Sequence, residues 1–315
     1  MDSTVLTNGP KASVVVCTYD EARTRDLEEC VASLLKQKVH PLELVVVVDH
    51  NHRLYEYLSG KYRDPRIKVV LNDSQNTGQA SSMNYGIKTS LAPIICFIDD
   101  DSVADEDWLL TIMDAYDDDT LCVGGRIEPL WIGKRPTYLP EEFYWLIGST
   151  GDFLLDSDDQ VRNLWSSNTS YKARVFAEVG LFSESLGRVG DPLFQGEDTE
   201  FALRVIKATG KRARYRPNAI VYHMIRPNRI SLRSLLERAY LQGYAKAYIS
   251  KLHKELGTLS VEKDYLQRLL VSGCAKLPKV ALGPERICAF EQLAFTVSAV
   301  AIVLFGYVVG LNAAR

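Results

Sequence analysis

Apolar runs alternate with amphipathic stretches through the first half of the chain. Ser13–Thr18 reads SVVVCT and predicts a strand. Leu27, Val31, Leu34 and Leu35 then fall at i, i+4, i+7 and i+8, one face of a helix. Leu44–Asp49, Ile67–Leu71 and Ile94–Ile98 predict three more strands, with a helix over about 79–89 between the last two. Leu121–Val123 predicts a fifth, leading into Gly124-Gly125. Continuous apolar strands separated by helices predict an α/β fold with a mainly parallel sheet flanked by helices.

The second half is less regular. Residues 126–163 are rich in aromatics and proline, including Trp131, Tyr138, Phe143, Tyr144 and Trp145. A helix is predicted from near Glu197, with Phe201, Val205 and Ala208 on one face, and a last strand over Ala219–Tyr222, ending in His223. A helix over 231–248 follows, then a mixed basic-apolar segment to Ala289. No charge occurs from Gln292 to Asn312, and the 19 residues Leu293–Leu311 are almost wholly apolar. At helical rise that length crosses a bilayer core of about 30 Å. A buried C-terminal helix is the alternative reading. Lys263, Arg268, Lys276, Lys279 and Arg286 precede the run and only Arg315 follows, which predicts a single-pass tail with the body on the cytoplasmic side. Met1–Pro10 is polar and does not read as a signal peptide.

Composition narrows the function classes. The 315 residues are 46% hydrophobic and 24% charged, with a net charge of −3 and no basic stripe, so nucleic acid is not an expected partner. The six cysteines form no C-x-x-C pair and read as small core residues in a reducing compartment.

The chemistry gathers where strands are predicted to end. Thr18-Tyr19-Asp20-Glu21, Asp49-His50-Asn51, Asn72-Asp73 and Asp99-Asp100-Asp101 each follow an apolar run. Parallel sheets bind ligands beyond the carboxyl ends of their strands, so this edge is the expected active site. Three adjacent aspartates repel one another unless a cation lies between them, and Mg²⁺ or Mn²⁺ suits carboxylate oxygens and bridges them to phosphates. A solvated acidic turn ahead of a helix near Asp107 is the alternative. Neither G-x-x-x-x-G-K nor G-x-G-x-x-G occurs. Asn76-Thr77-Gly78 opens a helix and reads either as an anion site or as a plain helix start. Gly196-Glu197-Asp198-Thr199-Glu200 places carboxylates in a first helical turn, where they either complement the dipole or supply a general base. A metal cluster with a distant carboxylate predicts displacement at a sugar carbon, diphosphate leaving and an alcohol attacking from the opposite face.

In series, Cys17-Thr18-Tyr19-Asp20-Glu21, Val48-Asp49, Asn76-x-Gly78, Asp99-Asp100-Asp101 and Gly196-Glu197-Asp198 resemble the inverting family 2 glycosyltransferases of GT-A fold. The resemblance implies a Rossmann-like catalytic domain over 1–230, and the residue pattern beyond it predicts a helical membrane-proximal segment over 231–289 and a transmembrane helix over 290–312. It implies that Asp49 reads the uracil of a UDP-sugar beside Thr18 and Tyr19, that Asp99 approaches the ribose, that Asp101 holds the metal and that Asp198 is the base. Glu21, Asn76, Gly78 and Asp100 join the donor site on the same grounds. The family often has Asp-Asp-Gly-Ser where this chain has Asp49-His50-Asn51-His52. His223 is either a third metal ligand, a diphosphate contact or a structural histidine.

Val123-Gly124-Gly125-Arg126, Leu139–Trp145, Arg162–Asn168 and the apolar tail resemble, more narrowly, the archaeal glucosyl-dolichyl-phosphate glucuronosyltransferases of protein N-glycosylation. That implies transfer of glucuronate from UDP-glucuronate to a dolichyl-phosphate-linked saccharide at a membrane. Arg126 and Arg188 are candidates for the glucuronate carboxylate, Arg229 for the diphosphate and Asn168 for the acceptor loop or a turn. Phe143-Tyr144-Trp145 reads as a sugar platform, an interfacial patch or core. The competing readings are a dolichyl-phosphate hexose synthase using bare lipid phosphate and a non-catalytic nucleotide-sugar-binding scaffold.

Overall fold

Four strands carry the apolar runs in parallel: β1 (Ala12–Thr18), β2 (Glu43–Asp49), β3 (Ile67–Asn72) and β4 (Ile94–Asp99). The computed structural model describes residues 11–151, 160–186, 196–256, 260–282 and 284–313. Beyond β4 come β5 (Ser102–Ala104), β6 (Cys122–Trp131), β7 (Gln160–Val161), β8 (Thr169–Lys172) and β9 (Ala213–Ile225). The sheet order is β3-β2-β1-β4-β8-β6-β9-β5, with β7 paired to β9.

The sheet is more mixed than the alternating pattern predicts. The predicted fifth strand, β6, does not lie against β4, because β8 is inserted between them and runs antiparallel to both. Its sequence, TSYK, gives no apolar run, yet its first three residues are buried. Ser170 satisfies its hydroxyl on the Val123 carbonyl at 2.7 Å, while the Tyr171 ring packs against Phe97, Phe176, Phe182 and Phe201.

Strand periodicity distributes the core over both faces of the sheet. Val14, Val16, Leu44, Val46, Val48, Cys96 and Ile98 join Leu27, Val31 and Leu34 of α1 (Thr24–Leu35), Leu54 and Leu58 of α2 (His52–Lys61), and Trp108 and Ile112 of α4 (Trp108–Asp114). Fully burying each such aliphatic side chain contributes about 1.5–3 kcal/mol. On the other face α3 (Gln79–Thr89) brings Gly86 against Val15 and Val47. The helices α5 (Ala173–Val179) and α6 (Glu197–Thr209) supply Phe176 and Phe201 to the aromatic cluster.

The described residues divide into two compact units, one of 11–128, 160–186 and 197–223, the other of 129–151, 196, 224–256, 260–282 and 284–313. The first holds the sheet edge. The second is helical, with a 3-10 helix over Glu141–Ile147, α7 (Leu232–Leu252), α8 (Ser260–Leu282) and α9 (Arg286–Asn312). The aromatic run is core in this unit. Phe143 meets Phe295 edge-on at 5.4 Å, and the Trp145 indole donates to Tyr265 Oη at 3.0 Å.

Among the described residues α9 is the one helix long and apolar enough to cross a membrane. It lies against α7 at backbone distance: a Cβ on Gly243 would stand 2.0 Å from the Val303 carbonyl, and one on Gly306 2.2 Å from that of Tyr240. Gly243→Leu is therefore expected to cost about 3 kcal/mol, the upper end for overpacking. On α8, by contrast, a Cβ added to Gly273 would meet nothing within 4 Å, so Gly273→Ala should stabilise by about 0.4–1 kcal/mol. Thermal melts in detergent compare the two.

Candidate active site at the carboxyl edge of the sheet

Parallel register brings the predicted clusters together. Asp49 lies opposite Asn72, Thr18 opposite Val48 and Cys17 opposite Asp99, so four strands end in polar side chains along one edge. Asp100 and Asp101 form the turn into β5, and the antiparallel pair β5–β9 places His223 opposite Ser102. His223 Nε2 is thereby 3.3 Å from Asp101 Oδ1. Ligand atoms of Asp99, Asp101 and His223 all lie within 4.8 Å of one another. Asp99, assigned to the ribose by the sequence resemblance, thus stands among the potential metal ligands.

Two carboxylates and an imidazole, two of the three buried, fit a divalent cation that retains positions for phosphate oxygens. The Arg23 guanidinium lies 2.8 Å from Asp100 Oδ1 and also pairs with Asp101. Burial pushes the Asp100 carboxyl up to about 7 despite the opposing pull of Arg23. Sequence reasoning missed Arg23, whose charge complements the aspartates only after folding.

The residues at and after the ends of β1, β2 and β3 are tied into one strip. Asp49 Oδ1 accepts from Asn72 Nδ2 at 2.8 Å and lies 3.1 Å from His50 Nδ1, while Oδ2 accepts the Gly78 N–H at 2.8 Å. A carboxylate offers about four lone-pair directions, which leaves one on Oδ2 beyond these contacts. His50 sits in the left-handed region at φ 51°, and its Nε2 is 2.8 Å from the Ser74 carbonyl. Gly78 needs its φ of 100° to turn the chain into α3. Asn76 donates to Glu184 Oε2 at 2.6 Å. Thr18 is buried, the Tyr19 ring is exposed beside it, and Glu21 opens a short 3-10 helix with its carboxylate 3.6 Å from Arg53.

Asp198 is the second residue of α6. Its Oδ2 accepts the Ser166 backbone N–H at 3.0 Å. Its Oδ1 is shut from solvent and has no hydrogen-bond partner among the described residues. An ionised oxygen left so is costly, and burial followed by the Glu197 charge holds this carboxyl well above the ordinary range. A connection runs back to the aspartate cluster: Gln79 Nε2 donates to Ser166 Oγ at 2.9 Å and to Asp99 Oδ1 at 3.3 Å. Gln79→Leu should lower kcat by roughly the 10–100-fold that loss of such a supporting contact costs. Gln79→Glu should not restore it, since a second carboxylate would face Asp99. Steady-state kinetics on the two variants checks this.

Other predicted residues have structural duties. Asn168 is buried, donates to the Arg126 and Ala219 carbonyls at 2.8 Å each, and accepts from Trp108 Nε1 at 2.8 Å. It braces the sheet. Asn84, in the middle of α3, clamps the Phe182 backbone, donating to its carbonyl and accepting from its N–H at 3.0 Å each. Arg126 Nη1 is 3.3 Å from Glu128 Oε1, and Arg229 ends a 3-10 turn. Arg188 lies outside the described residues.

The acidic carboxyl edge and the separate buried carboxylate suit a glycosyltransferase, and likeness to known proteins places the chain in that class of enzymes. Residues 13–180 match the model of Glycosyl transferase family 2, and the chain belongs to that family. It is 34% identical over 304 residues to the glucosyl-dolichyl phosphate glucuronosyltransferase of Haloferax volcanii, covering 96% of each chain. It is 23% identical to an N-acetylglucosaminyltransferase of Azorhizobium caulinodans, over 100% of this chain and 78% of the relative. Among solved structures, the mannosyltransferase PcManGT of Pyrobaculum calidifontis, in complex with GDP-Man and Mn²⁺, superposes with a TM-score of 0.55 at 18% identity, over 95% of this chain and 88% of that one. GalNAc-T7 with UDP, GalNAc and Mn²⁺ gives 0.55 at 16% identity, over 83% and 54%. Both share the GT-A-type fold.

Proposed function

We propose that this enzyme transfers glucuronate from UDP-glucuronate, with inversion, to glucosyl-dolichyl phosphate in the assembly of cell-surface N-glycans. The observation that carries the choice of substrates is the Haloferax relative, similar over nearly the whole of both chains. The reading takes 1–230 as the catalytic domain, 231–289 as a membrane-proximal segment and 290–312 as a single span, with the catalytic domain in the cytoplasm. The apolar helix α9 and the basic residues before it support that arrangement.

Each residue has a part in this reading. Tyr19 offers an exposed ring against which a base can stack, and the remaining lone pair of Asp49 suits the uracil N–H. Thr18, Glu21, Asn76 and Gly78 complete the donor strip. Asp99, Asp101 and His223 would hold Mg²⁺ or Mn²⁺, with Asp100 and Arg23 fixing their charge balance. When bound, the ion supplies Lewis-acid stabilisation to the diphosphate leaving group. Asp198 Oδ1 takes the proton of the attacking hydroxyl while Oδ2 stays anchored on Ser166. Arg126 is proposed to meet the glucuronate carboxylate.

Membranes containing the protein, incubated with a panel of UDP-sugars and either dolichyl phosphate or glucosyl-dolichyl phosphate, test this by mass spectrometry. One added glucuronate on the glucosylated lipid is the expected product. A hexose added to bare dolichyl phosphate would retain the class and discard these substrates.

A further inference from the structure

We propose that α8 lies lengthwise on an anionic bilayer surface, as a second membrane contact beside α9. This rests on the reading that α9 holds the chain in a membrane. The helix is attached to its own unit by one narrow stripe. Leu269 is buried, Tyr265 donates to the Glu142 carbonyl at 2.7 Å, and Ser272 and Lys276 both hold the Glu142 carboxylate. Positions 265, 269, 272 and 276 recur every three or four residues, which defines a single face.

The opposite stripe is apolar and open. Leu266, Leu270, Val271 and Leu277 are 39%, 70%, 73% and 53% exposed. A row of large apolar side chains along a helix is unfavourable in water and marks a surface that something covers. Charge selects the occupant. The acids of α8 are Glu262 and Asp264 near its start, and from Tyr265 to Pro284 the chain has no aspartate or glutamate, while exposed Lys263 heads the apolar row and exposed Arg268 stands three residues before Val271 on its flank. Cations flanking an apolar stripe suit a helix at headgroup level on anionic lipid. Continuity supports the same occupant. Only residues 283–285 separate α8 from α9, whose exposed stripe carries Arg286 at its start and is uncharged beyond it through Phe290, Val297 and Phe305. Wherever α9 enters hydrocarbon, the end of α8 is held within a few residues of the interface.

Cys274 is exposed on the same stripe, three to four residues from Leu270, Val271 and Leu277, and serves as the reporter. The full chain carrying Cys17→Ala and Cys288→Ser is labelled at Cys274 with an environment-sensitive nitrobenzoxadiazole dye. It is then placed in nanodiscs of phosphatidylcholine with or without phosphatidylglycerol. The expected result is a blue-shifted emission that is larger with the anionic lipid, and quenching by headgroup or shallow-chain spin labels in preference to deep-chain ones. Leu270→Glu combined with Val271→Glu should abolish both effects while the protein stays in the discs through alkaline carbonate. Quenching by aqueous iodide with none by the lipid labels would overturn the proposal. So would protection from both, which would mean that another protein copy covers the stripe. Release of the unsubstituted chain by carbonate would overturn the reading of α9, and this proposal with it.

Discussion

Asp198→Asn is expected to lower kcat by about 10²–10⁴-fold, the usual contribution of a general base, with donor affinity nearly unchanged. The asparagine keeps the anchor on the Ser166 N–H, because its amide oxygen still accepts there, but offers no basic oxygen in place of Oδ1. The same carboxyl sets the pH profile. Its pKa is raised by burial and by Glu197, and the base works only when deprotonated. Transfer should therefore be lost as pH falls through that raised value and reach a plateau above it, with the acid limb lying above the ordinary carboxylate range. Stopped-time transfer assays across pH, with donor binding measured separately by calorimetry, check both parts. A variant retaining full kcat would remove Asp198 from the chemistry.

Asp101→Ala is expected to abolish metal-dependent binding of the nucleotide. Losing even a supporting contact at a metal centre costs about 10–100-fold in affinity, and losing a ligand costs more. Removal of Asp101 also releases Arg23 from one of its partners and His223 from its 3.3 Å neighbour, so the whole rim relaxes. Calorimetric titration of UDP with and without Mn²⁺ should show a strong metal enhancement in the unsubstituted enzyme and none in the variant. Chelation with EDTA should reproduce the variant's behaviour in the intact protein.

Much of the polar sheet edge is legible because one physical rule writes it into the chain. Buried parallel strands read as unbroken apolar runs, and whatever polar residues follow them must reach the same sheet edge. Thus Thr18, Asp49, Asn72 and Asp99 are found by their positions after SVVVCT, LVVVVD, IKVVLN and IICFID. The strand β8 hides because its residues are polar, and the strands it pairs with lie 45 or more positions away, as Val123 does from Ser170. Arg23, Gln79 and Ser166 hide for a related reason. Each acts through a partner distant in sequence, and nothing local separates them from solvated residues. The helix α2 did carry a signal: Asn51 caps it by accepting the Leu54 N–H at 2.9 Å, and Leu54 and Leu58 follow at i, i+4 spacing. The aromatic run 143–145 looks like a ligand platform in isolation, and the packing of Phe143 against Phe295 makes it core.

The proposed chemistry needs, above all, a divalent ion gripped by the acidic rim of the sheet, closed by His223, and bound to the leaving diphosphate. A crystal of the enzyme soaked with UDP and Mn²⁺ and measured at the manganese absorption edge puts that requirement to the test. One anomalous peak within bonding distance of Asp101, His223 and the diphosphate is the expected result. A nucleotide bound at that edge with no manganese beside those side chains would refute it.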